Sequence, residues 1–105
     1  MYVIIYSTAS DEEEAYKIGK HLVEEKLVAC ANILPKIKSC YQWKGKVEED
    51  SEAILFAKTL ESLAERVIKR IKDLHSYEIP AILVFEIKGG NEEYLKWITE
   101  ETSTS

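Results

Sequence analysis

Two long extended segments, Ala29 to Trp43 and Val47 to Lys58, meet across the turn Trp43-Lys44-Gly45-Lys46, and this arm constrains the chain more than any other feature. The first segment alternates, with Ile33, Pro35, Ile37, Ser39 and Tyr41 on one face and Leu34, Lys36, Lys38, Cys40 and Gln42 on the other. The second ends in the apolar block Ala53 to Ala57, and Gly45 stands where a hairpin wants positive φ. Pro35 has no N–H to give a ladder, so it marks a bulge or an edge. A strand of about 12 residues at about 3.3 Å each runs roughly 40 Å, whereas a domain of about 100 residues has a radius of gyration near 13 Å. The hairpin must therefore overhang its own core. Its tip carries Tyr41 and Trp43, rings whose burial is worth about 2 to 3 kcal/mol each. Shelter on another copy of the same chain is the expectation. The competing reading bends the arm at Pro35 over its own sheet and leaves a monomer.

Around the hairpin the pattern alternates between strand and helix. Tyr2 to Tyr6 is a continuous apolar run, the pattern of a central strand covered on both faces. Ser10 and Glu13 form a capping box, and Ala15, Ile18, Gly19, Leu22 and Val23 mark one face of a helix from Asp11 to Glu25. Thr59 reads as the cap of a second helix with Leu60, Leu63, Val67, Ile71 and Leu74 on its inner stripe. His75 and Ser76 close that helix, Pro80 forbids its continuation, and Ala81 to Ile87 is a dense apolar strand. Gly89-Gly90 breaks the chain, Asn91 caps a short last helix with Tyr94, Leu95, Trp97 and Ile98, and Thr102 to Ser105 is expected to fray. The order βαββαβα over a single domain, 1–105, is that of an α+β ferredoxin-like sandwich. It predicts a four-stranded antiparallel sheet, two main helices on one face, a bare opposite face and a short C-terminal helix.

Composition narrows the function. With 14 basic against 19 acidic side chains the net charge is -5, and the basic residues form no long cluster, which opposes nucleic acid as a partner. No stretch reaches the roughly 18 to 20 apolar residues that span a bilayer, and no basic segment precedes Tyr2 to Tyr6, so neither a membrane partner nor export is expected and the cytoplasm is the expected compartment. Cys30 and Cys40 lie in the wrong pattern for a CxxC metal or redox site and read as two buried thiols. Scarce Asn and Gln beside abundant Glu and Lys is the lean of a thermostable protein. No GxGxxG, GxxxxGK[ST], HExxH or GxSxG occurs, so no enzyme is expected.

Five segments then align with one pattern: Ala29 to Ile33, Tyr41 to Glu48, Ile54 to Thr59, Leu74 to Ile82 and Asn91 to Ile98. Together, in order and spacing, they resemble CutA, the divalent-cation tolerance family. The resemblance implies a ferredoxin-like fold, a cytoplasmic homotrimer, and a role in the response to metal ions with copper binding. It also implies three copper-ligand positions, which here hold Ser7, Leu74 and Ala81, while Ser76 stands where the family's motif has proline. None of the three offers the thiolate, thioether or imidazole that copper favours, so that site is expected to be absent.

What remains is His75, Glu78 and Cys30 as a candidate donor set for a divalent ion such as Cu2+, with no cofactor required. Asn32, Tyr41, Trp43, Lys58 and Tyr77 are expected to line a cleft between subunits. Each has a plainer reading: His75 bonding free carbonyls at its helix end, Cys30 as core, Trp43 and Tyr77 as junction packing, Lys58 paired with Glu78. Glu48-Glu49-Asp50 reads as a solvated strand face, Glu12 to Glu14 as favourable first-turn charge, and His21 as surface. The leading function is a non-enzymatic trimer that binds or senses metal ions weakly. The alternatives are a PII-like trimeric regulator binding a small effector in its clefts, and a scaffold whose assembly is itself the working part.

Overall fold

A computed structural model describes residues 1–103 and places four strands and three α-helices. Strand β1 covers Tyr2–Ala9, helix α1 Glu12–Glu24, strand β2 Cys30–Trp43 and strand β3 Lys46–Leu60. Helix α2 is Ala64–Leu74 after a single 3-10 turn at Glu61–Leu63, strand β4 is Ile82–Glu86 and helix α3 is Glu92–Glu101. The strands form one antiparallel sheet in the order β2-β3-β1-β4, as the ferredoxin-like reading requires. Among the described residues no helix is long and apolar enough to cross a membrane.

One face of the sheet carries the core. Val3, Ile5, Leu55 and Ala57 meet Ile18 and Leu22 of α1 and Val67 and Ile71 of α2, all buried. Gly19 sets how close α1 lies: a Cβ there would stand 2.9 Å from Ala31 Cβ and 3.2 Å from Leu55 Cδ1, so the helix rests directly on β2 and β3. Trp43 pairs with Lys46 across a two-residue loop in which Lys44 and Gly45 both have positive φ, 51° and 80°, the geometry that matches strand twist. Beyond Glu52 every residue of β3 toward the turn is exposed. The molecule measures 46 × 25 × 22 Å, so the arm does project past the core.

Several expectations are corrected. The first helix is capped by Asp11, whose side chain accepts from Glu14 N–H, and Glu14 reaches back to Ser10, one residue on from the expected Ser10/Glu13 pair. Thr59 is no cap. It lies buried in β3 and donates to Leu27 O at 2.6 Å, which extends the strand to Leu60 and starts the helix later. The bulge between Leu34 and Ile37 inserts one residue, so Ile33 faces the helices while Ile37, Ser39 and Tyr41 face the opposite side with Leu34. That second face is not wholly bare: Tyr2 Oη bonds Thr99, Lys58 Nζ bonds Tyr94 Oη, and α3 covers this end with Ile98 fully buried. Thr102 is buried and donates to Ile98 O rather than fraying, while Thr104 and Ser105 lie outside the described residues. Neither thiol is fully buried, Cys30 being half-buried and Cys40 exposed. Asn91 caps α3 as expected, its Oδ1 accepting from Glu93 N–H.

Candidate functional site

The arm and the segment 75–81 between α2 and β4 enclose a cleft of about 770 Å³. Its strand wall follows from register: Ile37, Ser39 and Tyr41 stand opposite Glu52, Asp50 and Glu48, so aromatic and acidic side chains share one face. Tyr41 Oη donates to Asp50, and Tyr77 Oη donates to Glu52 Oε2 at 2.6 Å, which ties the segment to the arm. The hydrogen bond to Asp50, with nearby acidic charge, pushes the Tyr41 phenol up to about 12. Burial first, then the bond to Glu52, raises that of Tyr77 further. Both rings therefore stay protonated donors in a negative field. Trp43 and Glu78 complete the wall, and Trp43 is half exposed.

His75 anchors the segment from beneath. Its ring nitrogen Nε2 lies 2.7 Å from Thr8 O, and Nδ1 lies 3.0 Å from the Tyr77 nitrogen. A carbonyl only accepts and an N–H only donates, so Nε2 carries the proton and the Nδ1 lone pair is committed. The ring packs on Tyr77 with centroids 4.6 Å apart, and its side chain is fully enclosed. Glu14 holds the same segment from α1: Oε1 accepts from Ser10 N–H and Oγ–H, and Oε2 accepts from Ser76 N–H at 2.7 Å. Burial would raise its carboxyl, but the hydrogen bonds from Ser10 and Ser76 outweigh it and hold the group at about 2.

A depressed folded-state value stabilises the fold above the ordinary carboxylate range and is lost as pH falls toward the folded value. The contribution of Glu14 to the unfolding free energy should thus be constant above about pH 4.5 and decline from there toward about pH 2. Glu14→Gln should remove most of that slope and cost on the order of 2 kcal/mol at pH 7. Urea titrations at several pH values check this; a variant with the parent's slope contradicts it.

The other predicted residues separate into two groups. Tyr41, Trp43, Tyr77 and Glu78 line the one cleft, within a single chain. Cys30, Asn32 and Lys58 sit at the opposite end of the sheet, where Cys30 Sγ contacts Asn32 Oδ1 at 3.6 Å and Lys58 stands 5.4 Å over the Tyr94 ring. Lys58 thus meets Tyr94, not Glu78. From Ile4, opposite Lys58, to Thr8, which holds His75, is about 13 Å along β1. The donors His75, Glu78 and Cys30 do not converge in one chain, and the described residues contain no group of three His, Cys, Asp or Glu placed to hold a metal. Of the three positions at which the resemblance implies copper ligands, Ser7 donates to Ala81 O at 2.7 Å and Leu74 packs on the core. A single protomer does not fit a resident metal. Glu14, Thr8 and Glu52 were missed as site residues; only Glu52 left a sequence signal, at alternate positions with Glu48 and Asp50.

A family model described as CutA1 divalent ion tolerance protein matches residues 3–101. The chain is 47% identical over 100 residues to "Divalent-cation tolerance protein CutA" of Pyrococcus horikoshii, covering 95% of this chain and 97% of that one. It is 39% identical to "Protein CutA, chloroplastic" of Arabidopsis thaliana, spanning 95% of this chain and 55% of that longer protein. Among solved structures, the "Periplasmic divalent cation tolerance protein CutA" of Archaeoglobus fulgidus superposes with a TM-score of 0.95 at 41% identity, covering 98% of this chain and all of that one.

Proposed function

Because the chain belongs to the CutA1 divalent ion tolerance family, we propose that it serves metal-ion tolerance as a non-catalytic homotrimer in the cytoplasm. The uncovered apolar part of the second sheet face carries this reading. Phe56, Tyr6 and Phe85 lie in an edge-to-face row there, with centroids 5.8 and 6.2 Å apart, and Leu34 and Leu83 are exposed beside them. Tyr2 to Tyr6 has the composition of a strand covered on both faces, yet within one chain only Val3 and Ile5 are buried while Tyr2, Ile4 and Tyr6 are not. A second layer from sister chains supplies the missing cover, and a closed ring also shields the free edges of β2 and β4.

In support of a non-catalytic role, the His75 lone pair is taken by Tyr77 N–H and is not free to act as a base. Weak binding of divalent ions, copper included, is assigned to junctions between copies, where donors of different chains can meet. In a strain lacking its own copy, the parent chain should restore growth on elevated copper or zinc, while a folded variant unable to assemble should not. Equal rescue by both overturns the proposal. A second reading is favoured by the cleft itself: a PII-like regulator that takes up a small effector there.

A further inference from the structure

The segment 75–81 carries neither helix nor strand, and side chains hold it in place. Glu14 Oε2 takes Ser76 N–H at one end, and Ser7 Oγ donates to Ala81 O at the other. Between these pins Tyr77 is held twice, by its amide on His75 Nδ1 at 3.0 Å and by its hydroxyl on Glu52. The amide bond is the one that a proton can undo. His75 Nε2–H is committed to Thr8 O at 2.7 Å, so an added proton goes to Nδ1, where it meets the Tyr77 N–H. Two donors then face each other with no acceptor between them. The side chain of His75 is fully enclosed, so protein groups must satisfy both the displaced amide and the new charge. An acceptor for the charge is in place, because Glu14 Oε2 lies 3.8 Å from the same Nδ1. Against its burial, the hydrogen bonds from Ser10 and Ser76 hold that carboxyl at about 2, so it is still ionised where an imidazole takes up a proton. Around the ring, α1 presents Glu14, β3 presents Glu52 beyond the Tyr77 phenol, and β1 presents the Thr8 carbonyl.

We propose that His75 is a proton-driven latch: a proton taken up at Nδ1 passes the ring's bond from Tyr77 N–H to Glu14 and releases Tyr77 from the arm. The proton comes from solvent, and only hydrogen bonds change. In the closed state neutral His75 accepts from Tyr77 and the phenol reaches Glu52. In the open state the imidazolium donates to Thr8 O and to Glu14 Oε2, which has a lone pair left beside the one that Ser76 N–H occupies. The freed amide must turn to find another acceptor. Amide and phenol belong to one residue, so that turn draws the Tyr77 ring off His75 and its hydroxyl off Glu52. Ser76 and Ala81 keep their own partners, which confines the movement to residues 77–80. The two states differ in protonation of one group, so pH sets their populations. The latch lies within one chain and goes beyond the trimeric reading without depending on it.

The test is nuclear magnetic resonance of the isotope-labelled protein between about pH 8 and about pH 5, the range over which histidine ordinarily changes charge. At the upper end His75 should show a protonated Nε2, a bare Nδ1 and a protected Tyr77 amide. As the ring takes up its proton, the Tyr77 amide and the indole of Trp43, which lines the same cleft, should shift with the same midpoint. Protection of the Tyr77 amide should fall by about tenfold or more. The other histidine, His21, is exposed beside Glu25 and should titrate without moving either signal. Glu14→Gln removes the waiting anion and should move the midpoint to lower pH. His75→Asn gives up Thr8 O but keeps a side-chain acceptor for Tyr77 N–H, and should abolish the transition. If that variant does not fold, the midpoint in Glu14→Gln decides alone. A ring that stays neutral over the whole range, a titration that leaves the Tyr77 amide protected, or a midpoint unchanged in Glu14→Gln each overturns the proposal.

Discussion

Phe85→Asp is expected to give a folded chain that sediments as a single 12.1 kDa unit. In one protomer Phe85 is 50% exposed on β4, touching Tyr6 edge-on, so its loss removes little of the core built on the other face. In the proposed trimer the same position is covered, and an aspartate there is an unpaired buried charge. That costs several kcal/mol per copy, and the symmetry repeats it in every subunit. Far-UV circular dichroism should match the parent while the mass falls threefold. A Phe85→Asp protein that keeps the parent mass would move the interface off this face.

Leu55→Ala tests the opposite side of the same sheet and should act on folding first. Leu55 is 1% exposed and packs among Ile5, Ile18 and Leu22. Truncating such a residue costs about 2 to 5 kcal/mol, depending on how far the surroundings collapse into the space. Collapse is restricted here, because α1 already rests on Ala31 through the bare Gly19 and cannot move closer. The expected loss is about 3 to 4 kcal/mol, which in a domain of this size lowers the melting midpoint by about 10 to 20 °C. Differential scanning calorimetry in the non-assembling Phe85→Asp background isolates the effect from subunit association. A drop of less than about 3 °C would mean that the two layers are less tightly joined than the core contacts imply.

The element order was legible in the sequence because each signal was local. The helical stripes, the Lys44-Gly45 turn, the Pro35 bulge and the Asn91 cap each depend on residues a few positions apart. What was illegible depended on partners far along the chain. Thr59 before an apolar run looks like a helix cap, but its hydroxyl finds Leu27 O, 32 residues away, and the strand continues. Pro35 announced a bulge, yet the alternation was carried across it unchanged, although one inserted residue exchanges the two faces. His75 was visible as a candidate ligand, while its commitment to Thr8 O, 67 residues away, was not. Glu14 was one of three acidic residues in a first turn, and only the fold singles it out by placing Ser76 N–H against it. Tyr41, Trp43, Tyr77 and Glu78 could be named in advance because they flank the turn and the loop before β4, but that the loop folds onto the arm of its own chain depends on Tyr77 meeting Glu52, 25 residues away.

Sedimentation equilibrium of the unaltered protein at micromolar concentration tests the central claim most directly. The apolar row of Phe56, Tyr6 and Phe85, with Leu34 and Leu83 beside it, predicts a discrete particle of three times 12.1 kDa that does not dissociate on dilution through that range. A fully folded species at 12.1 kDa would contradict it and leave that face without its second layer.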